Sequence, residues 1–203
     1  MARFSWGLLA ALALAAPSLA RAHDHAHMAP MGAATPLPGA SLYNLEALWT
    51  DADGTSGPLA SLRGTIAVAA MAYTTCPDMC PAIVADMFWI ERRLPPELAG
   101  KVRFVFISID SVKDTPERLK AYAADHGMDP QIWTLLHGDD DAVRETAAAL
   151  GVRYRADGQG GFDHSAIITL LDPDGTIAFQ QNGARASSAE FLEKLEALAA
   201  RTP

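Results

Sequence analysis

Short apolar runs alternate with helix-like stretches along most of the chain. Two runs, 66–73 and 102–108, are apolar at nearly every position, which predicts strands buried on both faces. The first is followed by residues 81–94, where apolar side chains recur at helical spacing. The second is followed by residues 115–127, which begin with Thr-Pro-Glu and end at a glycine, as a capped helix does. This strand–helix order favours parallel strands joined by right-handed crossovers.

The remaining pattern predicts further elements before and after this parallel unit. Residues 42–49 predict a strand or ribbon closed by the turn 51–54. The later predicted elements are a strand over 132–136, a helix over 139–150, an antiparallel hairpin of 166–171 and 177–181, and a C-terminal helix capped by Ser187 or Ser188. The predicted fold class is therefore α/β. Its order of elements is that of a thioredoxin-like fold, with a central mixed sheet flanked by helices, an N-terminal ribbon and an inserted hairpin.

The first 40 residues differ in composition from the rest. Arg3 precedes an apolar run of Leu and Ala, and Ala20-Arg21-Ala22 places small residues at both positions that a signal peptidase reads. This layout predicts a secretory signal peptide over 1–22, with an uncleaved membrane anchor as the alternative. Residues 23–39 are predicted to form a flexible tail rich in His and Met, and residues 40–203 the folded domain. Export would place the protein where disulfides can form.

The charge of the chain excludes some partners. The formal net charge is −8 at pH 7, and it becomes −10 without Arg3 and Arg21. An acidic chain without basic clusters argues against nucleic acid and anionic lipid as partners, so membrane association is expected only if the N-terminal segment stays uncleaved.

The two cysteines of the chain lie together in Cys76-Pro77-Asp78-Met79-Cys80-Pro81, just after the first buried strand. Because proline strains a helix interior, we expect the following helix to begin near Pro81, with Cys80 close to its N-cap. The positive end of the helix dipole would then favour thiolate over thiol. Thiolates are soft metal ligands and also the nucleophiles of disulfide exchange. The pair is therefore a redox couple, two ligands of a metal site, or a structural disulfide.

A third donor is needed to complete a metal site, and His164 is the best candidate. It lies in the glycine-rich segment 160–165, which we expect to be a loop facing the cysteine turn. Asp163 or a neighbouring backbone carbonyl is expected to fix the tautomer of the imidazole. Two cysteines and a histidine form a plausible ligand set for copper. His126 and His137 are interpreted instead as solvated or capping histidines.

Several motifs, in this order, resemble those of the SCO/SenC family: Cys76-Pro77-Asp78-Met79-Cys80-Pro81, Ser108-Ile109-Asp110, Asp114-Thr115-Pro116-Glu117-Arg118-Leu119, Asp163-His164-Ser165 and Asp172-Pro173-Asp174-Gly175. The members of that family are thioredoxin-like copper-binding factors for cytochrome c oxidase assembly. The resemblance runs from about residue 40 to 200. It implies that Cys76, Cys80 and His164 correspond to the copper ligands of the family, and that the domain faces the periplasm.

The resemblance favours a periplasmic copper metallochaperone. Such a protein delivers copper, as Cu(I) or Cu(II), to the dinuclear copper site of a cytochrome c oxidase, or matures that site. The implied partners are the copper-site subunit of a respiratory oxidase, a copper donor protein and a thioredoxin-like reductant. A reversible disulfide between Cys76 and Cys80 would exclude copper, so reduction must precede loading.

Two other functions remain open. A thiol-disulfide oxidoreductase would reduce the copper-site cysteines of an oxidase subunit without carrying metal, and Cys76 and Cys80 would then be its whole active site. A peroxidase-like thiol enzyme is disfavoured, because residues 72–75 lack the Pro and Thr pattern typical of such enzymes.

The N-terminal tail offers a possible second copper site. Cleavage after Ala22 would leave His23-Asp24-His25 at the N-terminus, where an amine, two amides and a histidine suit square-planar Cu(II). His27, Met28 and Met31 add nitrogen and thioether donors. The alternative is a solvated tail whose histidines are incidental.

Overall fold

A computed structural model describes residues 37–77, 79–183 and 188–202. Its strands are β1 (Leu48–Asp51), β2 (Ser56–Pro58), β3 (Ile66–Ala72), β4 (Val102–Ser108), β5 (Trp133–His137), β6 (Tyr154–Ala156), β7 (Phe162–His164), β8 (Ile167–Leu171) and β9 (Ile177–Asn182). Its α-helices are α1 (Met79–Glu91), α2 (Pro116–Asp125), α3 (Asp140–Leu150) and α4 (Ser188–Ala199). Short 3-10 helices cover Leu42–Asn44, Leu59–Leu62 and Pro96–Leu98.

A mixed sheet forms the centre of the described domain. Its strand order is β2-β1-β5-β4-β3-β8-β9, while β6 and β7 form a separate two-stranded sheet. Strands β3, β4 and β5 are parallel, and β1, β8 and β9 add antiparallel neighbours at the two sides. The predicted mixed sheet, in which a late hairpin adds antiparallel strands to a parallel unit, is confirmed.

Strand β3 lies at the centre of the core and leads directly to the cysteines. All seven of its residues are buried, between β4 on one side and β8 on the other. Across the parallel strands, Phe104 stacks on Trp133 with ring centroids 5.1 Å apart. A strand that is paired on both sides and buried on both faces has little freedom to move, so its C-terminal end is a rigid base for a site.

Two helix starts are formed by the caps that the sequence predicts. The Thr115 side chain accepts the Arg118 amide at 3.3 Å, and Pro116 occupies the first helical position of α2. The Asp139 carboxylate accepts the Ala142 amide at 2.8 Å before α3. Helix α3 ends at Gly151, whose φ of 69° is the left-handed conformation expected of a C-terminal glycine.

The N-terminal ribbon is present, but its first part is not a strand. Residues Leu42–Asn44 form a 3-10 helix, because the Ser41 hydroxyl accepts the Tyr43 amide at 3.0 Å and caps the turn. The Leu42 amide also donates to the carbonyl of Gly175 in the β8–β9 turn, at 2.9 Å. The ribbon proper is the antiparallel pair of β1 and β2.

The segment around His164 was predicted to be a loop, and this prediction is wrong. Strands β6 and β7 pair there in an antiparallel hairpin, with Tyr154 opposite His164. Asp157 closes the turn of the hairpin, since its carboxylate accepts the Gln159 and Gly161 amides at 2.7 and 2.9 Å. Glycines at the turn, which suggested a loop, instead allow a tight reversal between two short strands.

Several predictions fall outside the described residues. They are the signal peptide or anchor over 1–22, the proposed tail donors His23, His25, His27, Met28 and Met31, and the alternative cap Ser187. Within the described ranges, none of the helices combines the length and the apolar character needed to cross a membrane.

Candidate metal centre

Cys76, Cys80 and His164 converge at the C-terminal end of β3. Their two Sγ atoms and one imidazole nitrogen all lie within 4.8 Å of one another. The Sγ of Cys80 is 3.3 Å from Nε2 of His164. Among the described residues, this is the one cluster of three or more His, Cys, Asp or Glu side chains with metal-binding spacing. The three residues that the sequence proposes as ligands are therefore neighbours, and both cysteines are thiols.

The cysteine turn differs slightly from the prediction. Helix α1 begins at Met79, two residues before Pro81, so Cys80 lies in the first turn rather than at the N-cap. Proline causes no strain there, because the first amides of a helix have no partner inside the helix. The Cys80 amide instead donates to Sγ of Cys76 at 3.3 Å. Sγ of Cys76 thus accepts a hydrogen bond from an amide that has no partner inside the helix.

Burial decides the protonation of Cys80. Only 1% of the residue is exposed, and desolvation raises the pKa of its thiol well above the ordinary value, with a further contribution from Cys76. The hydrogen bond from the Tyr73 amide opposes this shift without cancelling it. The prediction that the helix start makes this residue a thiolate is therefore wrong for the metal-free protein. A metal ion has to displace the proton.

His164 is neutral and correctly oriented for a ligand. Burial lowers the pKa of its imidazole, although the hydrogen bond to Ser165 opposes the shift. Nδ1 lies 3.2 Å from the Ser165 carbonyl, so the proton belongs on Nδ1 and the Nε2 lone pair points to Cys80. Of the two partners that the sequence left open, the backbone carbonyl is the one observed. Asp163 instead pairs with Arg155 at 2.9 Å on the exposed side of the hairpin.

Tyr73 is a site residue that sequence reasoning missed. Its backbone amide donates to Sγ of Cys80 at 3.5 Å, and its ring meets the His164 ring edge-on at 5.9 Å. Burial raises the pKa of its phenol, and a hydrogen bond with the Cys76 side chain raises it further. One residue therefore contacts all three candidate ligands. Its position directly after the buried strand was the available signal.

A buried carboxylate fixes the loop between β3 and the cysteines, a role that no sequence pattern predicted. Asp114 is fully buried and accepts the Thr74 amide at 3.0 Å, the Thr74 hydroxyl at 2.5 Å and the Ser108 hydroxyl at 2.6 Å. Arg118 donates to the same Thr74 hydroxyl at 3.1 Å. This network ties the cysteine loop to β4 and to the start of α2. It explains why Ser108 and Asp114 occur among the motifs.

The two other described histidines lie apart from this centre. His126 stacks on Tyr122 with ring centroids 4.0 Å apart, and its Nδ1 lies 2.9 Å from the Tyr122 carbonyl at the end of α2. The capping interpretation is confirmed for His126. His137 ends β5, and its buried Nδ1 has no hydrogen-bond partner among the described residues.

The donor set fits copper. Two sulfur atoms and one imidazole nitrogen suit both soft Cu(I) and Cu(II), and the nitrogen is held in the metal-binding tautomer. Cys76 is only partly buried, and Thr75, Pro77 and Met79 beside it are exposed. The site is therefore supported from inside by the sheet and accessible from outside through Cys76.

Comparison with known proteins agrees with this geometry. Among curated proteins, a SCO1 protein homolog of Bacillus subtilis is 28% identical over 134 residues, covering 64% of this chain and 69% of that protein. A mitochondrial SCO2 homolog of Bos taurus is 31% identical over 139 residues, 66% of this chain. The match spans half the length of that mitochondrial relative.

A solved structure extends the comparison to the fold. The structure of Bradyrhizobium japonicum ScoI, which has copper bound, superposes with a TM-score of 0.63 at 29% identity, covering 75% of this chain and 96% of that one. The central sheet flanked by helices is the thioredoxin-like fold of these Sco proteins. The SCO1/SenC family model matches residues 46–200, which include the whole candidate site. The chain therefore belongs to the SCO1/SenC family.

Proposed function

We propose that this protein is a periplasmic copper metallochaperone that delivers copper to the dinuclear copper site of a cytochrome c oxidase, or matures that site. The observation that carries the proposal is the convergence of Cys76, Cys80 and His164, whose donor atoms lie within 4.8 Å of one another. Membership of the SCO1/SenC family and the copper bound to Bradyrhizobium ScoI support the choice of metal. Export to the periplasm rests on the composition of residues 1–22.

Copper is the cargo in this proposal, and the three side chains hold it unequally. Cys80 supplies a buried sulfur and His164 a half-buried nitrogen, while Cys76 supplies a half-buried sulfur that solvent and a partner can reach. Loading releases the proton of each thiol, but none from His164, which is already neutral. Transfer to a client would begin at Cys76, because an incoming ligand can replace the accessible sulfur first.

The same cysteines provide a redox switch. If the two thiols lose two electrons and two protons to a disulfide-bonded partner, they form a disulfide, and the partner is left as a dithiol. A disulfide has no thiolate to offer copper, so the oxidised protein cannot load. A thioredoxin-like dithiol reductant would restore both thiols.

One observation favours the reductase alternative as a second candidate. An accessible Cys76 beside a buried Cys80 is the arrangement of an attacking and a resolving cysteine. In that case the oxidase subunit would receive electrons rather than copper, and His164 would only tune the pair.

Titration with copper separates the two candidates. The reduced full chain is titrated anaerobically with Cu(I) and Cu(II), beside His164→Ala and a chain in which the five tail donors are replaced by alanine: His23, His25, His27, Met28 and Met31. The proposal predicts tight copper binding that survives the tail changes. It also predicts tight Cu(II) binding that is lost when His164→Ala is added to the tail-substituted chain, while disulfide exchange remains normal. A tail-substituted chain that binds no copper but still reduces a disulfide-bonded oxidase copper-site subunit catalytically would establish the reductase instead.

A further inference from the structure

The hydroxyl group of Tyr73 joins two parts of the site that are otherwise separate in the sheet topology. It accepts the backbone amide of Phe162 at 3.1 Å and donates to the carbonyl of the same residue at 3.2 Å. The rings of Tyr73 and Phe162 also meet edge-on, with centroids 5.5 Å apart. One side chain therefore satisfies both backbone groups of a strand residue, as a neighbouring strand would.

The position of this contact matters because of what lies on either side of it. Tyr73 directly follows β3 and precedes the cysteine turn, and Phe162 is the first residue of β7, which ends at His164. Among the described strands, β6 and β7 pair only with each other and form a sheet separate from the large one. A two-stranded hairpin is only marginally stable by itself. Its placement therefore depends on contacts with its surroundings, such as those of Tyr73.

A second contact braces the hairpin at its turn, but farther from the metal centre. The Lys113 ammonium donates to the Gly160 carbonyl. Lys113 is exposed, and a solvent-accessible contact of this kind contributes little. Tyr73 is only 3% exposed and its hydrogen bonds to Phe162 are partly buried, so they are better shielded from water than the Lys113 contact. The buried tyrosine is thus the stronger of the two restraints.

We propose that Tyr73 is a positioning residue whose hydroxyl holds the β6–β7 hairpin, and with it His164, against the cysteine pair. This inference rests on the copper function proposed above. Two thiolates are enough to retain Cu(I), whereas Cu(II) gains most from the added imidazole. Tyr73 therefore sets how strongly the site discriminates between the two oxidation states of copper.

Replacing the hydroxyl alone tests the proposal. In the tail-substituted full chain, Tyr73→Phe keeps the ring and removes the hydroxyl, and with it the two hydrogen bonds to Phe162 and the hydrogen bond with the Cys76 side chain. We expect Cu(II) affinity to fall about tenfold, which is typical when a residue that orients a metal ligand is replaced. Cu(I) affinity should change less than about threefold. The Cu(II) electron paramagnetic resonance spectrum should also change, because the imidazole is no longer fixed. The matched control is Tyr154→Phe, which removes a hydroxyl from β6 of the same hairpin and should leave affinities and spectrum unchanged.

A metal-free measurement tests the restraint directly. Hydrogen exchange at the Phe162 amide of the reduced full chain should be about tenfold faster in Tyr73→Phe, because the amide loses its acceptor. A second variant, Gly161→Ala, disturbs the position of the Tyr73 hydroxyl without removing it. A Cβ at Gly161 would lie 2.9 Å from the Tyr73 hydroxyl and 2.7 Å from Oδ2 of Asp157. Gly161→Ala should therefore also lower Cu(II) affinity and speed hydrogen exchange at the Phe162 amide. Gly57→Ala, where the added Cβ meets nothing within 4 Å, is its control.

The outcomes distinguish this inference from the function on which it rests. If Tyr73→Phe binds Cu(II) with unchanged affinity and spectrum, or if exchange at Phe162 is unchanged, the positioning role is overturned while the copper function stands. If the unsubstituted site binds no copper, the copper function fails and the claim about oxidation states fails with it. The exchange rate at Phe162 then still decides whether Tyr73 holds the hairpin.

Discussion

Nε2 of His164 lies 3.3 Å from Sγ of Cys80, although 84 positions separate the two residues in the chain. The contact joins the first turn of α1 to the last residue of β7. It forms because the cysteine turn follows the C-terminal end of the central strand β3, and the β6–β7 hairpin ends beside that turn. The three donor atoms therefore come together only when the chain folds, and changes to the residues that place them should have measurable effects.

The two thiols should differ in reactivity. Cys76 is partly accessible, whereas Cys80 is buried and its thiol pKa is raised, chiefly by desolvation. We expect iodoacetamide to modify Cys76 of the reduced, metal-free protein at pH 8 at least tenfold faster than Cys80. Mass spectrometry of peptides after short labelling times measures both rates. Equal rates, or faster labelling of Cys80, would contradict the described burial, and labelling in denaturant provides the reference for intrinsic reactivity.

His164 should make the metal-free protein less stable in mild acid. Burial lowers its pKa in the folded state, so between that value and about 6.5 the unfolded chain binds more protons than the folded one. The stability that depends on neutral His164 is present above about pH 6.5 and is lost as the pH falls towards the folded pKa. Urea denaturation at pH 7.5 and 5.5, for the wild type and His164→Asn, measures the effect. The wild type should lose more stability than the variant, and an equal loss in both would show that His164 titrates normally.

Asp114 should be needed for both stability and copper affinity. Asp114→Asn keeps the shape of the side chain but turns one of its acceptors into a donor, so at least one hydrogen bond from Thr74 or Ser108 is lost. We expect unfolding free energy to fall by about 2–3 kcal/mol, which is typical for a buried charged acceptor. Copper affinity should fall as well, because Thr74 lies two residues before Cys76.

Denaturation measures the loss of stability, and competition for copper measures the loss of affinity. Asp53→Asn is the control, since Asp53 pairs with Lys120 at the surface. A variant as stable as Asp53→Asn would show that the network does not hold the loop.

Oxidation should abolish copper binding reversibly. A Cys76–Cys80 disulfide removes both sulfur donors, and reduction restores them. Equilibrium dialysis of the tail-substituted chain should give about one copper per reduced protein and almost none after oxidation, with full recovery on reduction. Cys76→Ser should bind weakly under both conditions. Undiminished binding by the oxidised protein would place the copper elsewhere.

The order of the main elements could be read from the sequence because each depends on local signals. The runs 66–73 and 102–108 match β3 and β4 to within one residue, and Thr115 and Asp139 cap α2 and α3 as expected. A run of apolar residues predicts a buried strand. A side chain that can accept hydrogen bonds from the first amides of a helix predicts where that helix begins. These features require no knowledge of distant contacts.

The parts that could not be predicted depend on contacts between distant residues. Strands β6 and β7 are three residues each, too short to show an alternating pattern, and their pairing needs the Asp157 turn. The raised pKa of Cys80 follows from burial, which the helix-dipole argument ignored. The roles of Tyr73 and Asp114 come from partners 89 and 40 positions away. Sequence patterns predicted the three side chains that converge, but not the contacts that support them.

The coordination of bound copper tests the central claim most directly. One equivalent of copper is added anaerobically to the reduced, tail-substituted chain, and X-ray absorption fine structure counts its neighbouring atoms. Ligation by Cys76, Cys80 and His164 predicts two sulfur neighbours and one imidazole nitrogen, with the nitrogen lost in His164→Ala and one sulfur lost in Cys76→Ser. A spectrum with only nitrogen and oxygen neighbours, or one that these substitutions leave unchanged, would contradict the account.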